Sequence, residues 1–309
     1  MSFLRAFGSH LPDRRVGNDE IARLTGTTPE WIVEVSGIQE RRYAAEQDTV
    51  ASLGLAAAQN CLANSGLTPS HLGMILVASG SAPRFCPGPA SQIATGLGLA
   101  STPAFDIPVA SCGSLIGLAL AAELAPKFGP VIVIGSEIMS RCVALTPAGK
   151  DTAILFGDGA GAALVDPSSG FARIADAILA TDGASAEILK IENGRIAMEG
   201  RSVILQAVRK IPRALNELLT RNNLAATDPC VYLMHQANLN LIARVAQSLK
   251  VPEDRFFVNL ARYGNTSSAS MLIAADEWRI AHPGPLAGPL VFAAFGAGLN
   301  WGALLATPR

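Results

Sequence analysis

Five short apolar runs recur along the chain between longer stretches rich in Ala and Leu: MILVASG from Met74, VIVIGS from Val131, AILFGDGAGAALV from Ala153, VYLMH from Val231 and PLVFAAFG from Pro289. Strands this apolar must be covered on both faces, and the segments between them have the length and composition of covering helices. Helices are expected at about 49–65, 114–128, 203–222, 239–249 and 268–282. The alternation predicts an α/β fold. No Ser- or Pro-rich linker, low-complexity tract or charge block divides the chain. A softer break, Asp166-Pro167-Ser168-Ser169-Gly170, is rich in turn formers and separates two halves of similar size, 1–166 and 167–309.

With 309 residues and half of them apolar, the chain can bury a large core. Its 24 basic and 25 acidic residues leave a net charge of -1, which gives no electrostatic footprint for nucleic acid or an anionic membrane. The longest uncharged run, Ile107 to Ala122, falls short of the roughly 20 residues that cross a bilayer, and it contains Pro, Ser, Cys and Gly. Met1 to Arg14 lacks the basic start and apolar stretch of a signal peptide. The cysteines (Cys61, Cys86, Cys112, Cys142 and Cys230) are odd in number and contain no CxxC pair. That argues against a zinc cluster and a disulfide framework, and a reducing cytoplasm fits best.

Partners must therefore be sought in a site. In Ala104 to Leu118 a strand-like segment runs directly into a helix that is apolar nearly all round, so Cys112 falls at a buried helix N-terminus. Free N–H groups and the helix dipole favour a thiolate there, and the same N–H groups can hold an oxyanion. Taken alone, Cys112 reads more readily as an inert core cysteine. His235 follows the apolar strand Val231–Leu233, where a strand gives way to a helix. Gly264-Asn265-Thr266-Ser267-Ser268 combines a turn, a polar amide and a helix start, and Phe295-Gly296-Ala297-Gly298-Leu299-Asn300-Trp301-Gly302 is a glycine turn after a buried strand. Each also has a bland reading as a satisfied histidine, a capping amide or a tight turn. Gly157-Asp158-Gly159-Ala160-Gly161 leads into a strand-like run rather than a helix, so close backbone packing, not phosphate binding, is its expected purpose.

Eight ordered blocks together resemble the ketoacyl-acyl-carrier-protein synthase III family of the thiolase superfamily. They begin at Gly8-Ser9-His10-Leu11-Pro12, pass through Glu30-Trp31-Ile32-Val33, Gly37 to Arg42, the Cys112 segment, Phe156 to Ala162, His235-Gln236-Ala237-Asn238 and Gly264-Asn265-Thr266-Ser267, and end at Phe295 to Gly302. The resemblance implies a five-layered αβαβα thiolase fold of two related halves, and usually a homodimer. It implies that Cys112 accepts an acyl group from an acyl-coenzyme A. His235 and Asn265 would then hold the carbonyl of a malonyl thioester during decarboxylative condensation, with no metal or redox cofactor. Trp31, Lys150, Cys86, Phe156, Asn238 and the backbone of Ala297 are implied to line the substrate site.

The chain departs from the family pattern in several places. Val35 and Gln39 stand where arginines are usual, and Lys150 replaces another arginine, a poorer stacking and fork-type partner. Basic positions that would face an acyl carrier protein read Gln206, Asn240, Gln247 and Ser248, although Arg209, Lys210, Arg213 and Arg244 offer a shifted patch. Cys86 replaces a bulky aromatic and leaves room for a longer, branched or polar acyl group. Arg84 and Arg141, near the same regions, read either as surface groups or as partners for an acyl carboxylate. Competing readings are acyl transfer to an alcohol or amine, and a non-catalytic subunit resembling chain-length factors. The presence of both His235 and Asn265 favours condensation.

Overall fold

The computed structural model describes all residues, 1–309. The strands are β1 (Ser2–His10), β2 (Arg14–Gly17), β3 (Glu40–Tyr43), β4 (Met74–Ala78), β5 (Ala104–Ile107), β6 (Val131–Ile138), β7 (Asp158–Asp166), β8 (Ala172–Thr181), β9 (Leu189–Glu192), β10 (Arg195–Met198), β11 (Val231–Met234), β12 (Leu290–Gly296) and β13 (Asn300–Pro308). The helices are α1 (Asn18–Thr25), α2 (Pro29–Ser36), α3 (Val50–Ser65), α4 (Pro89–Gly96), α5 (Gly113–Phe128), α6 (Lys150–Ala153), α7 (Gly200–Arg221), α8 (Leu239–Leu249), α9 (Leu260–Tyr263) and α10 (Ser270–Ala281).

Nine strands share hydrogen bonds in the order β11-β12-β13-β8-β1-β7-β6-β4-β5, and the two wings of this array repeat one another. Outward from β1, β7 and then β6 pair antiparallel, followed by β4 and β5 in parallel. Outward from β8, β13 and then β12 pair antiparallel and β11 in parallel. Phe256 adds a lone parallel bridge to Tyr232 where a fifth strand would lie. The wings meet only where Ser2–Leu4 pairs with Ala172–Ile174.

Helix α5 packs against strands of both wings, and α10 touches β1, β7 and β11. α3 and α4 cover the outer face of one wing; α7, with α8 against it, covers the other. The result is the five-layered αβαβα arrangement of two related halves. α5 can serve as a middle layer because it is apolar all round: Leu115, Leu118, Ala121 and Ala125 have no exposed surface, and each buried leucine is worth about 1.5–3 kcal/mol. α7 is amphipathic instead and buries one stripe, Ala207, Ile211, Leu215 and Leu218. No helix is long and apolar enough to cross a membrane.

The run expected as one strand from Ala153 divides. Residues 150–153 are helical, Phe156 makes only an isolated bridge to Asn265, and β7 starts at Asp158. A Cβ on Gly157 would stand 2.2 Å from the Tyr263 carbonyl, so 155–157 is drawn onto 263–265 before the chain enters the sheet. Gly161 is equally closed in, 2.7 Å from Leu272, which agrees with close packing as the purpose of this glycine stretch. Strands β1 and β8 are interrupted by charged residues and are placed by pairing rather than by composition.

Candidate active site

Cys112 stands directly before α5 and is wholly buried. The turn that delivers it is unusual: Ser111 adopts a left-handed backbone, φ 65, a conformation that costs an ordinary residue energy and persists only where its surroundings enforce it. Two contacts do so. The Ser111 N–H donates to Ser267 Oγ at 3.0 Å, and Gly296 lies so close that a Cβ there would be 2.2 Å from the Ala110 carbonyl and 2.8 Å from the Cys112 nitrogen.

The Cys112 N–H donates to Ala110 O at 2.8 Å, so that amide is already engaged, and any oxyanion donors at the helix start must come from the residues that follow. Burial pushes the thiol up to about 12, with no charged neighbour offsetting it. Burial thus opposes the stabilisation of a thiolate expected from the helix end.

His235 follows β11 and is tied to the sheet by its N–H, which donates to Ala293 O at 2.8 Å. Its Nδ1 pairs with Ser270 Oγ at 2.6 Å, and the same Oγ accepts the Gln236 N–H at 3.0 Å. Asn265 is fixed by its backbone, which donates to Leu155 O and accepts from Gly157. Its Oδ1 accepts the Ser267 N–H at 2.8 Å, so the amide is oriented with Nδ2 as the group left to donate. Ser267 thus joins the Cys112 turn to Asn265, and Ser270 supports His235. Neither serine stands out in the sequence, because their roles depend on chain crossings rather than on local pattern.

These groups meet at one cavity of about 330 Å³, lined by His235, Asn265, Ser111, Phe156, Asn238, Ala297 and Trp31 among others. Cys112 does not itself form part of the wall, while the residue before it does. Asn238 also caps α8, accepting from the Asn240 and Leu241 N–H groups and donating to Val35 O. Lys150 stays outside the wall, with its ammonium 5.7 Å from the centre of the Trp31 ring. Cys86 is exposed and lines neither this cavity nor the larger one beyond it, although Phe85 and Gly88 on either side line the latter.

The remaining walls come from the β9–β10 hairpin, Leu189, Ile191, Ile196 and Met198, and from the start of α7. The signal for this hairpin was present in the alternation around Asn193-Gly194, a strong two-residue turn pair. Lys210 is withdrawn from any basic patch: it is buried, pairs with Asp182 at 2.5 Å and lies 4.2 Å from the centre of the Trp301 ring. Arg209, Arg213 and Arg244 remain exposed.

Burial lowers His235 from 6.5 to about 4, partly offset by hydrogen bonding to the Ser267 backbone, so the ring is neutral at pH 7. A group whose pKa is depressed on folding stabilises the fold above its unfolded value and loses that contribution as pH falls towards the folded value. Between pH 7 and pH 4, His235 should therefore cost the protein about 3 kcal/mol. Denaturant unfolding of the protein and of His235→Gln at both pH values checks this. The wild type should lose about 3 kcal/mol more than the variant, whereas equal losses would mean that the ring takes up its proton in place.

Comparison with known proteins adds the following. Residues 105–183 match the family described as 3-oxoacyl-(acyl-carrier-protein) synthase III, and residues 219–307 match its C-terminal counterpart. A beta-ketoacyl-(acyl-carrier-protein) synthase III from Oleidesulfovibrio alaskensis is 38% identical, covering 98% of each chain. One from Pasteurella multocida is 37% identical and covers 96% of each. Among solved structures, the 3-oxoacyl-(acyl-carrier-protein) synthase III of Aquifex aeolicus superposes with a TM-score of 0.95 at 32% identity, over 99% of this chain and 100% of that one.

Proposed function

The chain belongs to the 3-oxoacyl-(acyl-carrier-protein) synthase III family, and from that premise we propose that it loads an acyl group from an acyl-coenzyme A onto Cys112 and condenses it with a malonyl thioester. The observation that carries the reading is the convergence of His235, Asn265 and Ser111, the residue before Cys112, on one largely apolar cavity. Thiol and imidazole are both neutral at rest, so no stored ion pair activates the nucleophile. The Cys112 sulfur attacks the donor thioester, the bond to the coenzyme A sulfur breaks, the thiol proton leaves with the departing coenzyme A, and the start of α5 offsets the charge that develops on the sulfur.

In this mechanism Ser270 Oγ, which receives the Gln236 N–H, gives its own hydrogen to His235 Nδ1, and the imidazole proton sits on Nε2. Nε2–H and the free Asn265 Nδ2–H are then two donors for one carbonyl oxygen. When the malonyl carboxylate leaves as carbon dioxide, its electron pair passes to the α-carbon and the thioester oxygen takes the enolate charge between these donors. The α-carbon attacks the acyl-cysteine, the C–S bond breaks, and Cys112 is released to regain a proton. All of this is carried by side chains and by coenzyme A thioesters as substrates.

Trp31, at the cavity, with Lys150 over its ring, is the proposed docking point for coenzyme A. Arg209, Arg213 and Arg244 form the basic surface proposed for an acyl carrier protein. A homodimer through β5 is supported by that strand's free edge, by Phe105 at 56% exposure and by Phe85 at 85%. Such a dimer would place the exposed Cys86 between copies rather than in its own cavity. The repeat of the wings supports a division at 166/167, and the coenzyme A substrates fit a cytoplasmic site of action.

The test is intact-protein mass spectrometry after incubation with acyl-coenzyme A, followed by malonyl-carrier protein or malonyl-coenzyme A. The expected result is a mass gain matching the acyl group, discharged by one of the malonyl thioesters with release of carbon dioxide. Discharge by alcohols or amines alone would replace condensation with simple acyl transfer.

A further inference from the structure

Arg41, in β3, has no exposed surface. Burial lowers its guanidinium to about 10, so the group is still charged at pH 7. No carboxylate lies within ion-pair distance of it, and Glu40, the acidic side chain beside it in the chain, is partly exposed and faces Arg15 at 3.8 Å. A buried charge without a counter-ion is costly, and an apolar side chain of similar size would fill the same space without that cost. What the guanidinium holds is therefore informative.

Its acceptors are all neutral. Nη1 donates to Asn18 Oδ1 at 2.7 Å, with a longer contact to Val16 O at 3.4 Å, and Nη2 donates to Ile154 O at 2.7 Å. Asn18 opens α1 and is itself fixed, donating through Nδ2 to Ile38 O at 2.7 Å. Ile154 directly follows α6 and begins the segment 154–157 that leads into β7. The backbone of Asn265 hangs on that segment: Leu155 O accepts the Asn265 N–H at 2.9 Å, and the Gly157 N–H donates to Asn265 O at 3.1 Å. A charge-assisted bond, stronger than one between neutral groups, thus anchors the segment at the end where it leaves α6.

The near end of the arginine side chain closes the same joint. A Cβ added to Gly157 would stand 3.0 Å from Arg41 Cβ, and one added to Gly264 would stand 3.2 Å from it. The segments on either side of the Asn265 pairing therefore both rest on Arg41, while Ile154, Leu155, Phe156 and Asn265 line the cavity. Arg41, Asn18, Ile154, Gly157, Gly264 and Asn265 are all buried inside the single chain, so the joint is complete without a second copy.

We propose that Arg41 is a positioning residue for decarboxylation: its guanidinium fixes the 154–157 segment and, through it, the Asn265 amide that faces the thioester carbonyl. The proposal rests on the reading of Asn265 as a carbonyl donor. It is tested in Arg41→Gln and Arg41→Lys by timing single-turnover carbon dioxide release from a malonyl thioester and, separately, Cys112 acylation at saturating acyl-coenzyme A. Arg41→Gln should slow carbon dioxide release about 10-fold or more, because a small displacement of a substrate-facing donor suffices for that, and should leave acylation within about twofold. Lysine keeps the charge and should recover part of the rate. In an Asn265→Ala background, neither substitution should slow carbon dioxide release further by more than about twofold, since no amide is left to place.

Equal slowing of both steps, or an Arg41 effect that multiplies with that of Asn265→Ala, would overturn the proposal and reduce Arg41 to a packing role. Should Arg41→Gln not fold, Asn18→Ala, which takes away one acceptor and keeps the guanidinium, carries the same comparison. Carbon dioxide release unchanged by Asn265→Ala alone would remove the donor reading and this proposal with it.

Discussion

Cys112→Ala should carry no acyl group after incubation with any acyl-coenzyme A, and its condensation rate should fall by about 10⁴-fold or more. The size of the effect follows from there being no substitute. Of the other cysteines, Cys61 and Cys142 are buried away from the His235 cavity, Cys86 is exposed, and Cys230 is held by the Gly288 carbonyl behind β11. The substitution removes one sulfur from a well-packed position and adds no polar group, so the α5 turn and the Ser111–Ser267 bond should survive it. His235 and Asn265 are left in place, and decarboxylation of a malonyl thioester should therefore persist without condensation. Mass spectrometry for the adduct and carbon dioxide release for the residual reaction check the two halves separately. An adduct that remains on the variant would transfer the nucleophile's role to another side chain.

Much of the fold was legible because buried strands and covering helices are written in composition. The runs at Met74, Val131, Val231 and Pro289 fall on β4, β6, β11 and β12, and the helix expected over 239–249 has those bounds. The run at Ala153 misled because Leu155 and Phe156 are apolar for a different reason: they line the cavity wall while their backbone packs on Asn265. Strand β8 was hidden because Arg173 and Asp176 interrupt it, and both project from a strand that is only half-buried.

At the site, residue types that carry chemistry were visible, whereas their supports were not. Ser267 and Ser270 look like any helix-start serines, yet one accepts from a residue 156 positions away and the other from a strand end 34 positions away. The complete burial of Cys112 was hidden for a related reason: a helix N-terminus can be read from sequence, but the burial that opposes its effect on the thiol depends on Gly296 and the opposite half of the chain.

Loss of either carbonyl donor should slow decarboxylation of the malonyl thioester by about 10²–10³-fold, far more than it slows acylation of Cys112. Removing a single preorganised donor exposes the enolate to the full cost of unbalanced charge in a largely apolar cavity, and the remaining donor cannot recover it. His235→Ala and Asn265→Ala together should cost less than the product of the single effects, because the two groups bind one oxygen. The decisive variant is Asn265→Asp. Its side-chain oxygen can still accept the Ser267 N–H, so the link to the Cys112 turn is kept. The atom facing the cavity, however, changes from an N–H donor to a carboxylate oxygen that repels the developing enolate. A positioning role for Asn265 alone predicts that aspartate outperforms alanine. Donation to the substrate predicts that aspartate is as slow as alanine or slower, and single-turnover measurement of carbon dioxide release from the two variants separates these outcomes.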